Sequence, residues 1–217
     1  MNLLEAQLKR MAVVPIKYRT YLIFGAPGSG KGTQGRTLGT IPSFFHCACG
    51  DVFRSIDTRT SLGKAFLEFS SRGQLVPDEM TVELWRVSIE RYVDSQQFQP
   101  DVDYLVLDGI PRNVSQAELM DPFIEVKKVF HLSCPDRNKI VARLKKRAIK
   151  DNRLDDANEE VIRQRLDTYQ RESKPLLDHY SNDLIVNIDA AEPPIAVLNT
   201  IVSHIAGGRE NETDFIP

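Results

Sequence analysis

At 217 residues, 41% of them hydrophobic and 27% charged, the chain has the length and balance of one well-buried core with appendages rather than two equal domains. Its formal net charge of -2 argues against a general nucleic-acid binder. No apolar run approaches the roughly 20 residues of a membrane helix, and the opening MNLLEAQLKRM lacks both the leading positive charge and the apolar core of a signal peptide, so a cytoplasmic protein without membrane contact is expected.

Residues 1–19 read as a mildly amphipathic N-terminal extension. From there, short apolar runs bounded by turn residues alternate with amphipathic stretches, which predicts an α/β fold with a parallel sheet covered by helices. Strands are predicted at Tyr21–Phe24, Phe44–Cys47, Tyr104–Leu107, Val129–Leu132 and Leu184–Ile188. Helices are predicted at Lys31–Leu38, Leu62–Ser71, Glu79–Val93, Ser115–Met120, Asp136–Ala148, Glu159–Tyr180 and Ile195–Ile205. Pro135 suits a helix's first turn, where a missing amide hydrogen costs little, and Pro175 should kink or break the long helix before Leu176. The folded domain would span residues 20–206, leaving 207–217 as a polar tail.

Three cysteines, Cys47, Cys49 and Cys134, make an odd count without framework spacing, which points to reduced thiols. A metal cluster of His46 with these cysteines lacks paired ligand spacing, so a buried strand end is the better account of that segment. Trp85, between Val82 and Val87, reads as helix core packing. His131, His179 and His204 stand alone and receive no catalytic role.

The most informative segment is YLIFGAPGSGKGTQ, Tyr21–Gln34, where an apolar strand runs into a glycine-rich loop and then a helix. Gly25, Gly28 and Gly30 permit backbone angles that let successive amide hydrogens converge on phosphate oxygens. The helix beginning near Lys31 adds its dipole, and the Lys31 ammonium adds a charge for the transferred phosphate. Gly32 stands where the strict phosphate-loop motif has Ser or Thr, with Thr33 following, so direct hydroxyl coordination of magnesium is not assured. A guanine-specific switch needs an Asn-Lys-x-Asp element, and Asn138-Lys139 is followed by Ile140 and Val141. From Arg143 to Arg153 the chain carries Arg143, Lys145, Lys146, Arg147, Lys150 and Arg153 against Asp151 alone, a net of +5. Taken alone, such a run is a solvated helix face.

In order along the chain from about Tyr21 to Pro194, these motifs resemble the adenylate kinases, whose phosphate loop is similar to GAPGSGKGTQ, including the glycine after the lysine. Cys49-Gly50-Asp51 with Arg54 resembles that family's Thr-Gly-Asp and arginine at the AMP site, with Cys49 in the threonine slot and Arg54 on the AMP phosphate. Gly73–Glu79 is similar to the end of the AMP flap, which places backbone groups of Gln74, Leu75 and Val76 against the nucleoside. Asp108-Gly109-Ile110-Pro111-Arg112 resembles Asp-Gly-Phe-Pro-Arg; the resemblance makes Asp108 the carboxylate that orients magnesium through its waters and Arg112 a ligand of the AMP phosphate, beside Gly109. Gln116 matches a glutamine that reads adenine, where related uridylate and cytidylate kinases usually carry asparagine.

The basic run acquires a use through the same resemblance. Arg143 and Arg147 are similar to the arginines that precede a mobile lid, Arg153-Leu154-Asp155-Asp156 to its far end, and Arg165 to the arginine of the following helix. Arg147 would face ATP, and Arg153 and Arg165 the migrating phosphoryl group. Ile188–Pro193 resembles the loop at the ATP adenine, where the Glu192 carbonyl would make the contact.

The resemblance thus implies a P-loop NTPase fold with five parallel strands, an AMP-binding flap at about 48–77 and a short lid at about 147–156 without zinc ligands. It implies ATP at Gly28, Ser29, Gly30, Lys31, Gly32 and Thr33 with Arg143, Arg147 and Glu192; Lys31, Asp108, Arg112, Arg147, Arg153 and Arg165 would carry the chemistry. The implied activity is magnesium-dependent phosphoryl transfer from ATP to AMP by a monomer. A UMP or CMP kinase of the same fold, for which Cys49 and Asn113 leave room, and a nucleotide-binding regulator without turnover stay as alternatives. Phosphoryl transfer suits this set because it needs positioning, charge neutralisation and exclusion of water rather than a protein nucleophile.

Overall fold

A computed structural model describes residues 17–54, 56–72, 74–151 and 158–208. Five strands form one parallel sheet in the order β2-β3-β1-β4-β5: β1 at Tyr18–Gly25, β2 at Phe44–Ala48, β3 at Tyr104–Asp108, β4 at Ile124–Ser133 and β5 at Ile185–Asp189. Parallel strands need crossovers, and helices supply them: α1 (Lys31–Leu38), α2 (Cys49–Arg54), α3 (Ser61–Ser71), α4 (Asp78–Asp94), α5 (Val114–Met120), α6 (Arg137–Asp151), α7 (Glu159–Thr168), α8 (Leu176–His179) and α9 (Pro194–Gly208).

The central strand is buried on both faces, and its alternate side chains enter two cores. Leu22 and Phe24 join Leu105, Leu107 and Val129 on one face, under Trp85, Ile89 and Met120 of α4 and α5. Tyr21 and Ile23 join Tyr104, Val106 and Leu132 on the other, under Leu38 of α1 and Val197, Ile201 and Ile205 of α9. Trp85, at 1% exposure, is the core residue expected of it. A smaller cluster of Ala26, Ile140, Leu144, Ile162 and Leu166 packs α6 and α7 against the loop after β1.

Three details depart from the sequence expectation. The six-residue α2 was not predicted, being too short to show a helical period. Pro135 lies outside α6 rather than in its first turn: Asp136 is the cap, its carbonyl accepting from Ile140 N and its Oδ1 from Asn138 N and Lys139 N. The long helix expected over Glu159–Tyr180 ends at Thr168 and widens into a π-helical turn at Tyr169–Ser173, closed by Lys174 N donating to the Tyr169 carbonyl. Pro175 accounts for the widening, since its ring cannot follow a regular turn and brings no amide donor.

Candidate active site

In an open parallel sheet the crevice beyond the carboxyl ends of the strands is where ligands bind. Here that crevice is a cleft of about 510 Å³, reached by Gly25 at the end of β1, Ala48 at the end of β2, Asp108 at the end of β3 and Ala190 just after β5.

The loop between β1 and α1 forms its floor, with Gly28, Ser29, Gly30, Lys31, Gly32 and Thr33 all on the wall. Two of its glycines are required by geometry. Gly28 has φ +81°, and a Cβ there would lie 3.0 Å from Leu144 Cγ and 3.2 Å from Ile140 Cγ2; Gly30, which precedes α1, has φ +102°. Ser29 is buried, and its Oγ has no hydrogen-bond partner among the described residues, so a polar atom in the floor is available to a bound group. Lys31 folds back over the loop, its Nζ donating to the carbonyls of Gly25 (2.8 Å) and Ala26 (3.1 Å). Burial lowers its pKa to about 8; Asp108 opposes this, while Arg112, Arg147 and Arg165 add to it. Three guanidinium groups thus surround one amine.

The walls come from distant parts of the chain. Arg112 comes from the turn before α5, Gln116 from the first turn of α5, Arg143 and Arg147 from α6 and Arg165 from α7, and all line the cleft. Arg143 Nη1 donates to the Ala190 carbonyl at 2.8 Å, tying α6 to the loop that carries Glu192. Arg112 Nε donates to the Gly109 carbonyl at 2.8 Å. A Cβ on Gly32 would approach Asp108 Oδ2 to 3.2 Å, so the glycine after the lysine leaves room beside that carboxylate. Gly50, Gln74, Leu75, Val76 and Gly109 also reach the wall.

Cys49 does not: it is 2% exposed, within the core on the β2 side. The Arg54 side chain and the whole of Arg153 lie outside the described residues, as do 154–156 of the expected lid. Among the described residues no group of three or more His, Cys, Asp and Glu is arranged to hold a metal ion, and His46 packs against Gly35 of α1 and against Gly39 just beyond its end.

Protein-family comparison finds that the adenylate kinase model matches residues 23–185. The chain is 34% identical to an adenylate kinase of Cyanothece sp. over 86% of its own length and 96% of that relative. It is 35% identical to one of Bacteroides thetaiotaomicron, covering 75% of this chain and 84% of the relative, and 37% identical to one of Thermobifida fusca, covering 79% and 90%. The chain belongs to the adenylate kinase family. Membership makes it a phosphotransferase of the nucleoside monophosphate kinase type on a P-loop NTPase fold.

The cleft of this adenylate kinase family member also contains residues that sequence reasoning did not assign. Lys146 lies three residues beyond Arg143, and helical spacing alone would have put it on the same side. Tyr169 and Ser173 reach the wall from the π-helical turn, whose altered pitch no regular period reveals. The Tyr169 hydroxyl lies 3.1 Å from His131 Nε2, whose Nδ1 is 2.8 Å from Asn187 Oδ1; burial lowers the His131 pKa and raises that of Tyr169 to about 12.

Proposed function

We propose that this protein catalyses the reversible transfer of the terminal phosphoryl group of ATP to AMP, giving two molecules of ADP. The observation that carries the reading is the convergence of Lys31, Arg112, Arg147 and Arg165, from four separated segments, on one cleft floored by a phosphate loop. An AMP phosphate oxygen attacks the terminal phosphorus of ATP, a new P–O bond forms, and the bond to the bridging oxygen breaks with ADP leaving. The cations hold the two anions in line and offset charge on the migrating group, and arginine suits this because its planar fork takes phosphate oxygens in pairs. In this reading Arg54 and Arg153 complete the set, and the Glu192 backbone meets the ATP base.

Asp108, at the end of β3 beside the loop and next to the space left by Gly32, fits the water-mediated holding of magnesium; when bound with ATP, that ion supplies further charge neutralisation. We assign the exclusion of water to the flap at about 48–77 and the short lid at about 147–156, within a domain that runs from β1, beginning at Tyr18, to α9, ending at Gly208, two residues wider at each end than the 20–206 expected. A reducing, cytoplasmic setting is proposed because the odd count of three cysteines, Cys47, Cys49 and Cys134, has no framework spacing, and a monomer is proposed from the family resemblance. Among the described residues no helix is long and apolar enough to cross a membrane. The test is a coupled assay for ADP from ATP and AMP. Turnover should require magnesium and survive a chelator selective for zinc; ADP formation undiminished without magnesium would contradict the proposal.

A further inference from the structure

Gln116 is almost fully buried (1% exposed), yet it lines the cleft. Its amide carries two N–H donors and two acceptor lone pairs, and the protein engages one of each. Oε1 accepts from Arg112 N at 2.8 Å, and Nε2 donates to Asp78 Oδ1 at 2.8 Å. Asp78, at the start of α4, also receives Asn113 Nδ2 at 2.9 Å, while Asn113 Oδ1 caps α5 by accepting from Gln116 N at 2.8 Å. A backbone N–H can only donate and a carboxylate can only accept. One orientation of the amide satisfies both, and the flipped one sets donor against donor and acceptor against acceptor.

We propose that Asp78 is a positioning residue that locks the Gln116 amide in one orientation, and that this lock selects 6-amino over 6-oxo purine monophosphates in the cleft. The inference rests on the reading of Gln116 as the group that meets the base. With the amide so held, the remaining lone pair of Oε1 and the remaining hydrogen of Nε2 match the N6 donor and N1 acceptor of adenine. A 6-oxo purine presents the reverse pair, an O6 acceptor and an N1–H donor, and meets the locked amide with both partners wrong. A site whose polar groups are left unpaired by the wrong ligand rejects it far more strongly than a site differing only in shape.

The experiment measures kcat and KM for AMP and for inosine monophosphate, with ATP as donor, in the wild type, Asp78→Asn, Asp78→Ser, Gln116→Ala and the Asp78→Asn/Gln116→Ala double variant, alongside each thermal midpoint. Asp78→Asn keeps the shape but exchanges the acceptor-only carboxylate for an amide that can donate as well as accept, which leaves the Arg112 N–H as the group that opposes a flip, and Asp78→Ser, whose hydroxyl both donates and accepts, serves if the first variant fails to fold. Both should lower the ratio of AMP to inosine monophosphate efficiency by about tenfold or more, chiefly through KM for AMP, and in the Gln116→Ala background the Asp78→Asn change should have no further effect on that ratio. If Gln116→Ala collapses the ratio while both Asp78 variants leave it unchanged, the lock is refuted and the base reading stands. If Gln116→Ala leaves the ratio unchanged, the base reading fails and the lock with it. An equal effect of Asp78→Asn with and without Gln116 would reduce Asp78 to a structural role and overturn the proposal.

Discussion

Lys31 is a buried amine whose charge burial and the surrounding arginines disfavour, and in the proposed function it meets the polyphosphate of ATP. In the unliganded protein its pKa is lowered to about 8, and a bound polyphosphate must raise it, because the anion favours the charged form. The sign follows: between the two values binding takes up a proton, so this contribution to ATP affinity is fully present below about pH 8 and is lost as pH rises through the bound value. Titration calorimetry in buffers of differing ionisation enthalpy should show proton uptake near pH 8.5 and an affinity falling by up to about tenfold per pH unit above it; a pH-independent affinity over that range would contradict the assignment. Lys31→Met should lower turnover by orders of magnitude, about 100-fold or more, because the charge matters most in the transition state, with a thermal midpoint close to the wild type. Retention of more than about a tenth of the turnover would remove Lys31 from the mechanism. Lys31, Asp108 and Arg112 were legible in the sequence because each sits in a dense local motif. Within the Cys49-Gly50-Asp51 motif, Gly50 and Asp51 reach the cleft while the Cys49 side chain packs in the core, and motif spacing carries no information on which way a side chain turns.

The positions of Arg143 and Arg147 on α6 depend on how that helix begins and how it is tied to α7. Its start is capped by Asp136, whose Oδ1 accepts from two backbone amides, whereas Lys145 reaches Glu159 of α7 in an exposed ion pair shared with Arg163. Removal of a cap costs about 1 kcal/mol, and an exposed pair contributes about 0–1 kcal/mol. Denaturant unfolding should therefore show Asp136→Ala as more destabilising than Lys145→Ala, and the reverse order would mean that the inter-helix pair holds α6 in place. All five strands were legible as short apolar runs, most plainly β1 and β3, which lie inside the sheet and are buried on both faces, whereas the edge strand β5 is only partly covered. The π-helical turn was not, since Pro175 announces an interruption without stating whether the chain breaks, kinks or widens; only the packing of Tyr169 against Phe24, at 5.6 Å between ring centroids, shows where the altered turn points.

At the scale of the molecule, one cleft collects cations from the start of α1, the turn into α5, α6 and α7, and the Gln116 amide lines the same cleft, held by a carboxylate and a backbone amide. The general purpose of the cleft was legible from its ordered motifs, but the convergence itself depends on crossovers that bring residues more than a hundred positions apart to one end of the sheet. The central claim is that AMP is the acceptor, and it is distinguished from a pyrimidine kinase by the locked Gln116 amide. Cytosine offers a donor and acceptor on a smaller ring, so it fits the same amide less well, and the buried Cys49 thiol has little part in the choice; Cys49→Thr should alter base preference less than Gln116→Ala. The most direct measurement is the catalytic efficiency of the wild-type enzyme with ATP, magnesium and a panel of AMP, CMP and UMP. AMP should be preferred by about a hundredfold or more over both pyrimidines, and comparable efficiencies for AMP and CMP would contradict the account.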